Sequence, residues 1–184
     1  MKDTLLNEIH NDEWMMNILK LVRDLDLPDC WIGAGFVRNK AWDFLHQYSE
    51  STPLSDIDVV FLDKKNTSKE YEKELEAKLS KQASNIKWEV INQARTHLWH
   101  NKQPYNSTEQ AISDWIETAT CIGIRLTVDN NLILITPHGL KDIESLTLRP
   151  VPSLKDMTLF NERIHKKSWL KLWPKLSIAN SDKL

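Results

Sequence analysis

Residues 53–63 read PLSDIDVVFLD, and the interpretation of the whole chain depends on this stretch. Asp56 and Asp58 lie one residue apart at the start of a mainly apolar segment, which is typical of a buried β-strand. Residues two apart in a strand point to the same side and are separated by about 6.6 Å along it. Both carboxylates therefore face one way, while Ile57 and Val59 face the other.

The closeness of these two aspartates has an electrostatic consequence. Two negative charges at that separation repel by roughly 2.5 kcal/mol at an effective dielectric constant of about 20. A hard divalent cation such as Mg²⁺ relieves the repulsion, because it binds carboxylate oxygens and completes its shell with water or phosphate oxygens. The Asp56–Asp58 pair is therefore a candidate metal site for phosphate chemistry. The alternative is a solvated turn that leads into the strand.

A third carboxylate lies in the segment IKWEVINQAR, residues 86–95, which is a second predicted strand. Alternation places Glu89 and Ile91 on one face and Trp88 and Val90 on the other. A charged side chain within a strand is uncommon without a partner. Glu89 is therefore the best candidate to complete a three-carboxylate site, and the alternative is an edge-strand glutamate that faces water.

A glycine turn precedes these strands, in the segment WIGAGFVRN at residues 31–39. Gly33 and Gly35 stand between a predicted strand and a predicted helix, where glycine lets a phosphate approach the backbone and the helix N-terminus attracts anions. Arg38 follows and can pair with phosphate oxygens. A lone Gly-x-Gly is weak support, because an ordinary tight turn has the same pattern.

The remaining pattern predicts an α+β (mixed α/β) fold, with a mixed β-sheet covered by helices and a C-terminal hairpin and helix. The predicted helices are residues 3–26, the segment after the glycine turn, residues 68–83 with Ser68 as N-cap, residues near 108–119, a short helix entered from the turn in PHGLKDI (137–143), and residues around 156–172. We expect a single domain over 1–184, comprising an N-terminal helix (1–27), a catalytic core (28–100) and a C-terminal elaboration (101–184).

Composition limits the classes of function. The formal net charge of −2 does not favour general nucleic-acid binding, because proteins that grip phosphate backbones are usually basic. Residues 141–184 carry nine Lys or Arg and five Asp or Glu, a net charge of +4, and the basic segment ERIHKK within them is interpreted as a solvated helix face. No signal peptide or membrane span is predicted, and two unpaired cysteines indicate a cytoplasmic protein.

Taken together, these motifs resemble the nucleotidyltransferase superfamily with the polymerase-β-like fold. In that superfamily a glycine turn is followed by two aspartates on one strand and a third carboxylate on a later strand. GAGFVRNKAWD, SDIDVVFLD, WEVINQARTHLW, PHGLKDI and LWPKL resemble a small bacterial nucleotidyltransferase-like family over residues 30–176. The chain departs from the larger superfamily in its Gly-Ala-Gly turn, where Gly-Gly or Gly-Ser is usual.

The resemblance implies metal-dependent transfer of a nucleoside monophosphate from a nucleoside triphosphate (NTP) to a hydroxyl acceptor, with release of pyrophosphate. It implies that Asp56, Asp58 and Glu89 are the catalytic residues and hold Mg²⁺ or Mn²⁺. The residues that it implies for contact with the nucleotide are Gly33, Gly35, Arg38, Ser55 and Arg95.

The acceptor is left open by the sequence, as are the preferred base and the oligomeric state. A small molecule or a protein is the expected acceptor, nucleic acid is not favoured as a partner, and no membrane partner is expected. One alternative is a non-catalytic nucleotide-binding module that keeps the fold. Another is an enzyme acting on tRNA ends, against which the acidic charge balance argues.

Overall fold

The computed structural model describes residues 1–179, which form a mixed five-stranded sheet, a small two-stranded sheet and their covering helices. The strands are β1 (Trp31–Gly33), β2 (Ile57–Phe61), β3 (Trp88–Asn92), β4 (Gly123–Leu126), β5 (Leu132–Ile135), β6 (Thr147–Leu148) and β7 (Ser177–Ile178). The helices are α1 (Lys2–His10), α2 (Glu13–Arg23), α3 (Gly35–His46), α4 (Lys69–Gln82), α5 (Thr108–Ile112), α6 (Lys141–Glu144), α7 (Met157–Lys166) and α8 (Trp169–Leu172), with a 3₁₀ helix over Gln93–His100.

The large sheet has the strand order β3-β2-β1-β4-β5. Strands β2 and β3 are parallel, whereas β1 pairs antiparallel with both β2 and β4, and β4 and β5 form the predicted hairpin. The parallel pair is joined through α4, which is the usual way to connect parallel neighbours. The mixed sheet covered by helices agrees with the predicted α+β class.

One face of this sheet forms the main hydrophobic core. Ile57 and Val59 of β2 are buried there with Val90 of β3, as the alternation of the two strands predicts. The same cluster extends to Leu5 near the N-terminus and to Trp173 near the C-terminus. The opposite face carries the charged residues of the two strands and is only partly covered.

The predicted N-terminal helix over 3–26 is wrong in its middle, because the chain forms two helices instead of one. Asp12 caps α2, and its side chain accepts a hydrogen bond from the backbone N–H of Met15 at 3.0 Å. The same carboxylate pairs with Lys40 of α3 at 2.9 Å. An aspartate at an N-cap satisfies an otherwise free N–H group, and this interaction is more favourable than continuing the helix.

The predicted helix near 108–119 is also too long, because α5 ends at Ile112. Ser107 caps its N-terminus, since the Ser107 hydroxyl accepts from the N–H of Gln110 at 3.1 Å. Beyond the helix, Glu117 forms an antiparallel bridge with Pro150, and the N–H of Thr118 donates to the carbonyl of Arg149. Long-range backbone pairing therefore replaces the last turns of the predicted helix.

The C-terminal helix predicted around 156–172 is interrupted. Lys167 has extended backbone angles of φ −86° and ψ 131°, which ends α7 and lets Trp169 of α8 pack edge-on against Trp42 of α3, with ring centroids 5.8 Å apart. The strands β6 and β7 were not predicted, because each has only two residues. Within residues 1–179, no helix has the length and apolar composition needed to cross a bilayer.

Candidate functional site

Three carboxylates from the sequence prediction lie on the open face of the sheet. The parallel register of β2 and β3 places Asp58 directly opposite Glu89, and neighbouring strands lie about 4.8 Å apart. Paired residues in a sheet point to the same side, so the two carboxylates face the same way. Asp56 lies one residue before β2 and faces that side as well. The strand register thus brings together residues that are 31 positions apart in sequence.

The electrostatics of Asp58 reflect this crowding. Burial, followed by the negative charges of Asp56 and Glu89, raises the pKa of the Asp58 carboxyl from 3.8 to about 6. Arg38 and Arg163 act in the opposite direction on that pKa, but their effect is smaller. The ionised form of Asp58 is therefore unfavourable in the free protein, and a bound cation would stabilise it.

Lys87 at the start of β3 supplies positive charge to this cluster. Its ammonium group bonds to the carboxylate of Glu89 and lies 3.7 Å from Oδ2 of Asp56. The hydrogen bond to Glu89 is the main cause that raises the pKa of Lys87. Sequence analysis missed this residue, although the spacing of Lys87 and Glu89, two apart in one strand, is compatible with such a pair.

The fit of the cluster to a metal ion rests on its donor atoms. Among residues 1–179, no three His, Cys, Asp or Glu side chains converge into a group that could hold a metal ion, and Glu89 is engaged by Lys87. Asp56 and Asp58 nevertheless offer an all-oxygen donor pair, and Mg²⁺ is commonly bound by one or two carboxylates plus water and substrate phosphates. The aspartate pair therefore fits Mg²⁺ or Mn²⁺.

The two glycines of the turn have different roles. A Cβ atom at Gly33 would lie 2.6 Å from Cη2 of Trp115, so close packing with that indole explains the glycine. Gly35 is the first residue of α3, and its backbone stands at the mouth of a cavity. Between them, Ala34 has φ +50° and ψ −120°, a conformation that normally requires glycine.

The N-terminus of α3 opens onto a cavity of about 230 Å³, which we call the basic cavity. Asp56, Asp58 and Ser55 form one side of it, and the hydroxyl of Ser55 donates to Oδ1 of Asp56 at 2.9 Å. The lining residues are 34–35, 38–39, 53–56, 58, 163, 166–169 and 172–173. An exposed helix N-terminus beside positive side chains is suited to binding an anion.

Arg38 is buried at the back of the basic cavity in a fixed orientation. Its guanidinium donates to Oγ1 of Thr120 and Oδ1 of Asn39, both at 2.9 Å. It also lies over the rings of Trp42 and Trp169, at 4.8 and 4.5 Å from their centroids. Burial is the main cause that lowers the pKa of Arg38 to about 10, which still leaves it positively charged near neutral pH.

Sequence analysis missed the positive residues that α7 and the residue after it contribute. Arg163, Lys166 and Lys167 line the basic cavity opposite the aspartates, although ERIHKK was interpreted as a solvated helix face. Arg163 also pairs with the buried carboxylate of Glu117, at 2.7 Å. The local excess of positive charge in residues 141–184 was the available signal, but a sequence does not show which helix face meets another element.

The structure does not bring Arg95 to this cluster. Its guanidinium pairs with Glu72 of α4 and donates to the carbonyl of Thr67 at 3.0 Å. Arg95 follows the C-terminal end of β3, whereas Asp56 precedes the N-terminal end of the parallel strand β2. The two residues therefore lie at opposite ends of the strand pair, and the contacts of Arg95 are structural.

Comparison with known proteins places this geometry in a family. The sequence profile of a family described as nucleotidyltransferase matches residues 20–178. A solved structure described as "The NMR structure of the protein reveals a CCA-adding enzyme head domain" is 35% identical, with a TM-score of 0.87 over 98% of this chain and 97% of that one. No curated protein sequence matches significantly.

Full-length CCA-adding enzymes share the fold at lower identity. A CCA-adding enzyme in complex with CTP is 14% identical, with a TM-score of 0.61 over 97% of this chain and 43% of that one. The Thermotoga maritima CCA-adding enzyme complexed with tRNA is 14% identical, with a TM-score of 0.59 over 97% of this chain and 42% of that one. This chain thus spans less than half the length of those enzymes.

Proposed function

The chain belongs to this nucleotidyltransferase family, and on that premise we propose that it transfers a nucleoside monophosphate from an NTP to a hydroxyl acceptor. The observation that carries the proposal is the position of Asp58 opposite Glu89, beside Asp56, at the wall of the basic cavity. Negative metal-binding groups and positive phosphate-binding groups then face each other across one small space, as NTP chemistry requires.

The triphosphate occupies the basic cavity in this proposal. At the first turn of α3 the N–H groups of Gly35 and Phe36 would donate to the phosphates, since those of Val37 and Arg38 donate to the carbonyl of Ala34. Ser55 lines the same cavity. Arg38, Lys166 and Lys167 also line this cavity and supply its positive charge. Hydrogen bonds between ionised groups are roughly twice as strong as neutral ones, so these residues supply much of the nucleotide affinity.

Asp56 and Asp58 would hold Mg²⁺ or Mn²⁺. A metal held there would neutralise charge on the phosphates and lower the pKa of the acceptor hydroxyl. Glu89 is the third carboxylate of the proposal and would accept the hydroxyl proton directly or through water, since it pairs with Asp58 in the strand register. Arg95 has no part in this proposal.

The reaction is a displacement at the α-phosphorus. The acceptor oxygen forms a bond to that phosphorus, and the bond from the α-phosphorus to the oxygen that bridges to the β-phosphate breaks. Pyrophosphate leaves with that bridging oxygen, and the acceptor proton passes to Glu89 or to water. The attacking and leaving oxygens lie on opposite sides of the phosphorus.

A second candidate is a nucleotide-binding module without catalysis. The observation that favours it is the contact of Lys87 with both Glu89 and Asp56, which places an ammonium group where a metal would bind the full carboxylate set. Binding of NTP and Mn²⁺ without any transfer in the presence of acceptors would support this alternative.

The test is an incubation of the protein with labelled NTPs, Mg²⁺ or Mn²⁺ and a cell extract as the source of acceptors. We expect label transfer and pyrophosphate release from the wild type, and a loss of about 100-fold or more in Asp56→Asn/Asp58→Asn, because the metal then loses both protein ligands. Asp63→Asn is the matched control, since Asp63 caps a turn at the far end of β2. Equal transfer by the double variant and the wild type would sink the metal assignment.

A further inference from the structure

A second cavity, of about 250 Å³, also borders Asp58, and we call it the aromatic cavity. It lies over the open face of the sheet and is lined by Asp58 and by Trp99, His100, Asp114 and Trp115, among others. Nothing in the proposed binding of the nucleotide triphosphate uses Trp99 or His100, so the cavity requires its own explanation.

The aromatic cavity and the basic cavity meet at Asp58. Asp58, Ala34 and Arg163 line both of them, whereas Lys166 and Lys167 line only the basic cavity. Asp58 is therefore accessible from two cavities, both of which contain tryptophan side chains but only one of which has lysines among its described lining residues.

The charges of the aromatic cavity differ from those of its neighbour. Among the described residues that line it, none is a lysine, and Arg163 is already paired with Glu117. Asp114 is negative, with hydrogen bonds from Lys102 and from the hydroxyl of Tyr105. Such a lining does not attract phosphate groups.

Trp99 is conspicuously exposed in this setting. It lies on the 3₁₀ helix after β3 with 66% of its surface accessible, beside Leu98 at 69%. An indole contributes most of its binding energy when a planar or apolar ring covers it. Leu98 does not line the cavity, but Trp99 does, so the ring of Trp99 is available to a ligand that reaches Asp58.

We propose that the aromatic cavity is the acceptor site and that it takes a small, uncharged, ring-bearing alcohol stacked on Trp99. This inference rests on the proposed function. If pyrophosphate leaves through the basic cavity, an in-line displacement requires the acceptor oxygen to arrive from the opposite side of the α-phosphorus. The aromatic cavity is the neighbouring space that we assign to the acceptor, because it meets the basic cavity at Asp58 and contains none of the lysines of that cavity.

The size and charge of the cavity define the acceptor class. A volume of about 250 Å³ is below the roughly 300–1,000 Å³ that is usual for drug-sized ligands, so it accommodates one or two rings. The end of a nucleic acid would bring phosphates to a lining whose described residues include Asp114 and no lysine. A nucleoside or a sugar satisfies both constraints.

The test measures binding of defined probes to the whole protein by calorimetry, with Mg²⁺ and a non-hydrolysable ATP analogue already bound. Adenosine and methyl β-glucoside are the neutral ring-bearing probes, and AMP and methyl β-glucoside 6-phosphate are their anionic counterparts. We expect at least one neutral probe to bind about tenfold or more tightly than its phosphorylated counterpart. Stronger binding of adenosine would indicate a nucleoside acceptor, and stronger binding of the glucoside would indicate a sugar.

Two variants locate the binding site. Trp99→Ala should weaken the neutral probe about fivefold or more, in line with the loss of one stacking contact, whereas Trp99→Phe should stay within about threefold. Leu98→Ala is the control on the same helix and should leave probe binding unchanged. The ATP analogue should bind equally well to all three variants.

Several results would overturn the proposal. If Trp99→Ala weakens the ATP analogue as much as the probe, the cavity holds the nucleoside of the donor. The proposal would also be excluded if a short single-stranded RNA bound preferentially at Trp99, or if Trp99→Ala left the affinity for the probe unchanged. Failure of the ATP analogue to bind the wild type would instead contradict the proposed function, and the acceptor site with it.

Discussion

At the scale of single residues, Asp58 shows how a site for a cation affects the stability of the free protein. Its folded-state pKa is raised to about 6, above the value of an unfolded aspartate. Ionisation therefore costs folding free energy above that pKa, and the cost disappears as the pH falls from about 6 to about 4. The same crowding of charge that destabilises the free protein favours a bound cation.

We expect Asp58→Asn to raise the free energy of unfolding of the metal-free protein by roughly 1–3 kcal/mol at pH 7. This difference in the free energy of unfolding between the variant and the wild type should fall toward zero from pH 6 to pH 4, because Asp58 in the wild type becomes protonated over that range. Urea denaturation at several pH values measures this. A gain that is the same at pH 4 and pH 7 would contradict the raised pKa.

Ala34 is a second residue whose conformation in the folded protein lowers the free energy of unfolding. Its φ of +50° with ψ of −120° is a conformation that costs a non-glycine residue of order 1–3 kcal/mol. Ala34→Gly removes that strain but adds about 0.4–1 kcal/mol of entropy to the unfolded chain. We expect a net gain in stability, measured by thermal or urea unfolding.

The control for this prediction is Ala41→Gly, within α3. Ala41 is fully buried in regular helix, so the variant should lose about 1 kcal/mol or more through helix propensity and lost packing. If both glycine variants lose stability to the same extent, Ala34 is not strained.

At the scale of elements, the C-terminal helix α7 carries the positive charges that the basic cavity needs. We expect Lys166→Ala/Lys167→Ala to weaken binding of an NTP–Mg²⁺ complex about tenfold or more, since each hydrogen bond to a charged group contributes roughly 1.5–3 kcal/mol. Titration calorimetry at two salt concentrations measures it, and the loss should be smaller at high salt.

Lys171→Ala is the matched control for that pair. Lys171 lies on α8 and is exposed, and it does not line the basic cavity. Its removal should leave nucleotide affinity within about twofold, because an exposed charge outside the site is screened by solvent. A loss equal to that of the double variant would mean that general charge, and not α7, attracts the nucleotide.

The strand β3 contributes a competitor for the metal through Lys87. Because its ammonium group contacts Glu89 and Asp56, we expect Lys87→Met to strengthen Mn²⁺ binding by up to about fivefold, the range of an exposed ion pair. Electron paramagnetic resonance of free Mn²⁺ measures the affinity. Lys65→Met is the control at the other end of β2, and weaker Mn²⁺ binding in Lys87→Met would show that the ammonium group assists the metal.

At the scale of the whole molecule, one hydrophobic cluster connects the two ends of the chain to the sheet. Trp173 packs against Trp42, with ring centroids 5.0 Å apart, and its indole N–H donates to Oδ1 of Asp43 at 2.7 Å. Asp43 in turn accepts from the N–H and the hydroxyl of Thr52, in the loop that leads to the aspartates. The C-terminus therefore helps to fix the loop of the candidate site.

From this connection we expect residues 1–184 to unfold as one domain. Circular dichroism and tryptophan fluorescence should report the same single transition. Trp173→Ala should lower the free energy of unfolding by about 3–5 kcal/mol and shift both signals together. Two separable transitions, with only one shifted by the variant, would divide the chain into independent units.

The sequence was sufficient for the elements whose pattern is local. The alternation in DIDVVF and WEVIN predicted which side of each strand is buried, and Ser68 was correctly predicted as an N-cap. These features depend on neighbours within about four residues. The helix boundaries at Asp12, Ile112 and Lys167 were missed, because distant partners, such as Lys40 for Asp12 and Pro150 for the segment after Ile112, stabilise the alternative conformations.

By itself, the sequence determined the residue types of the candidate site and the strands that carry them. The tertiary structure decided which of these residues meet. The parallel register put Glu89 opposite Asp58 and left Arg95 at the far end of the strand pair. The docking of the C-terminal segment against α3 brought Lys166 and Lys167 into the lining of the cavity that also contains Asp56 and Asp58. Strand register and helix docking depend on contacts between residues far apart in the chain, and local spacing does not encode those contacts.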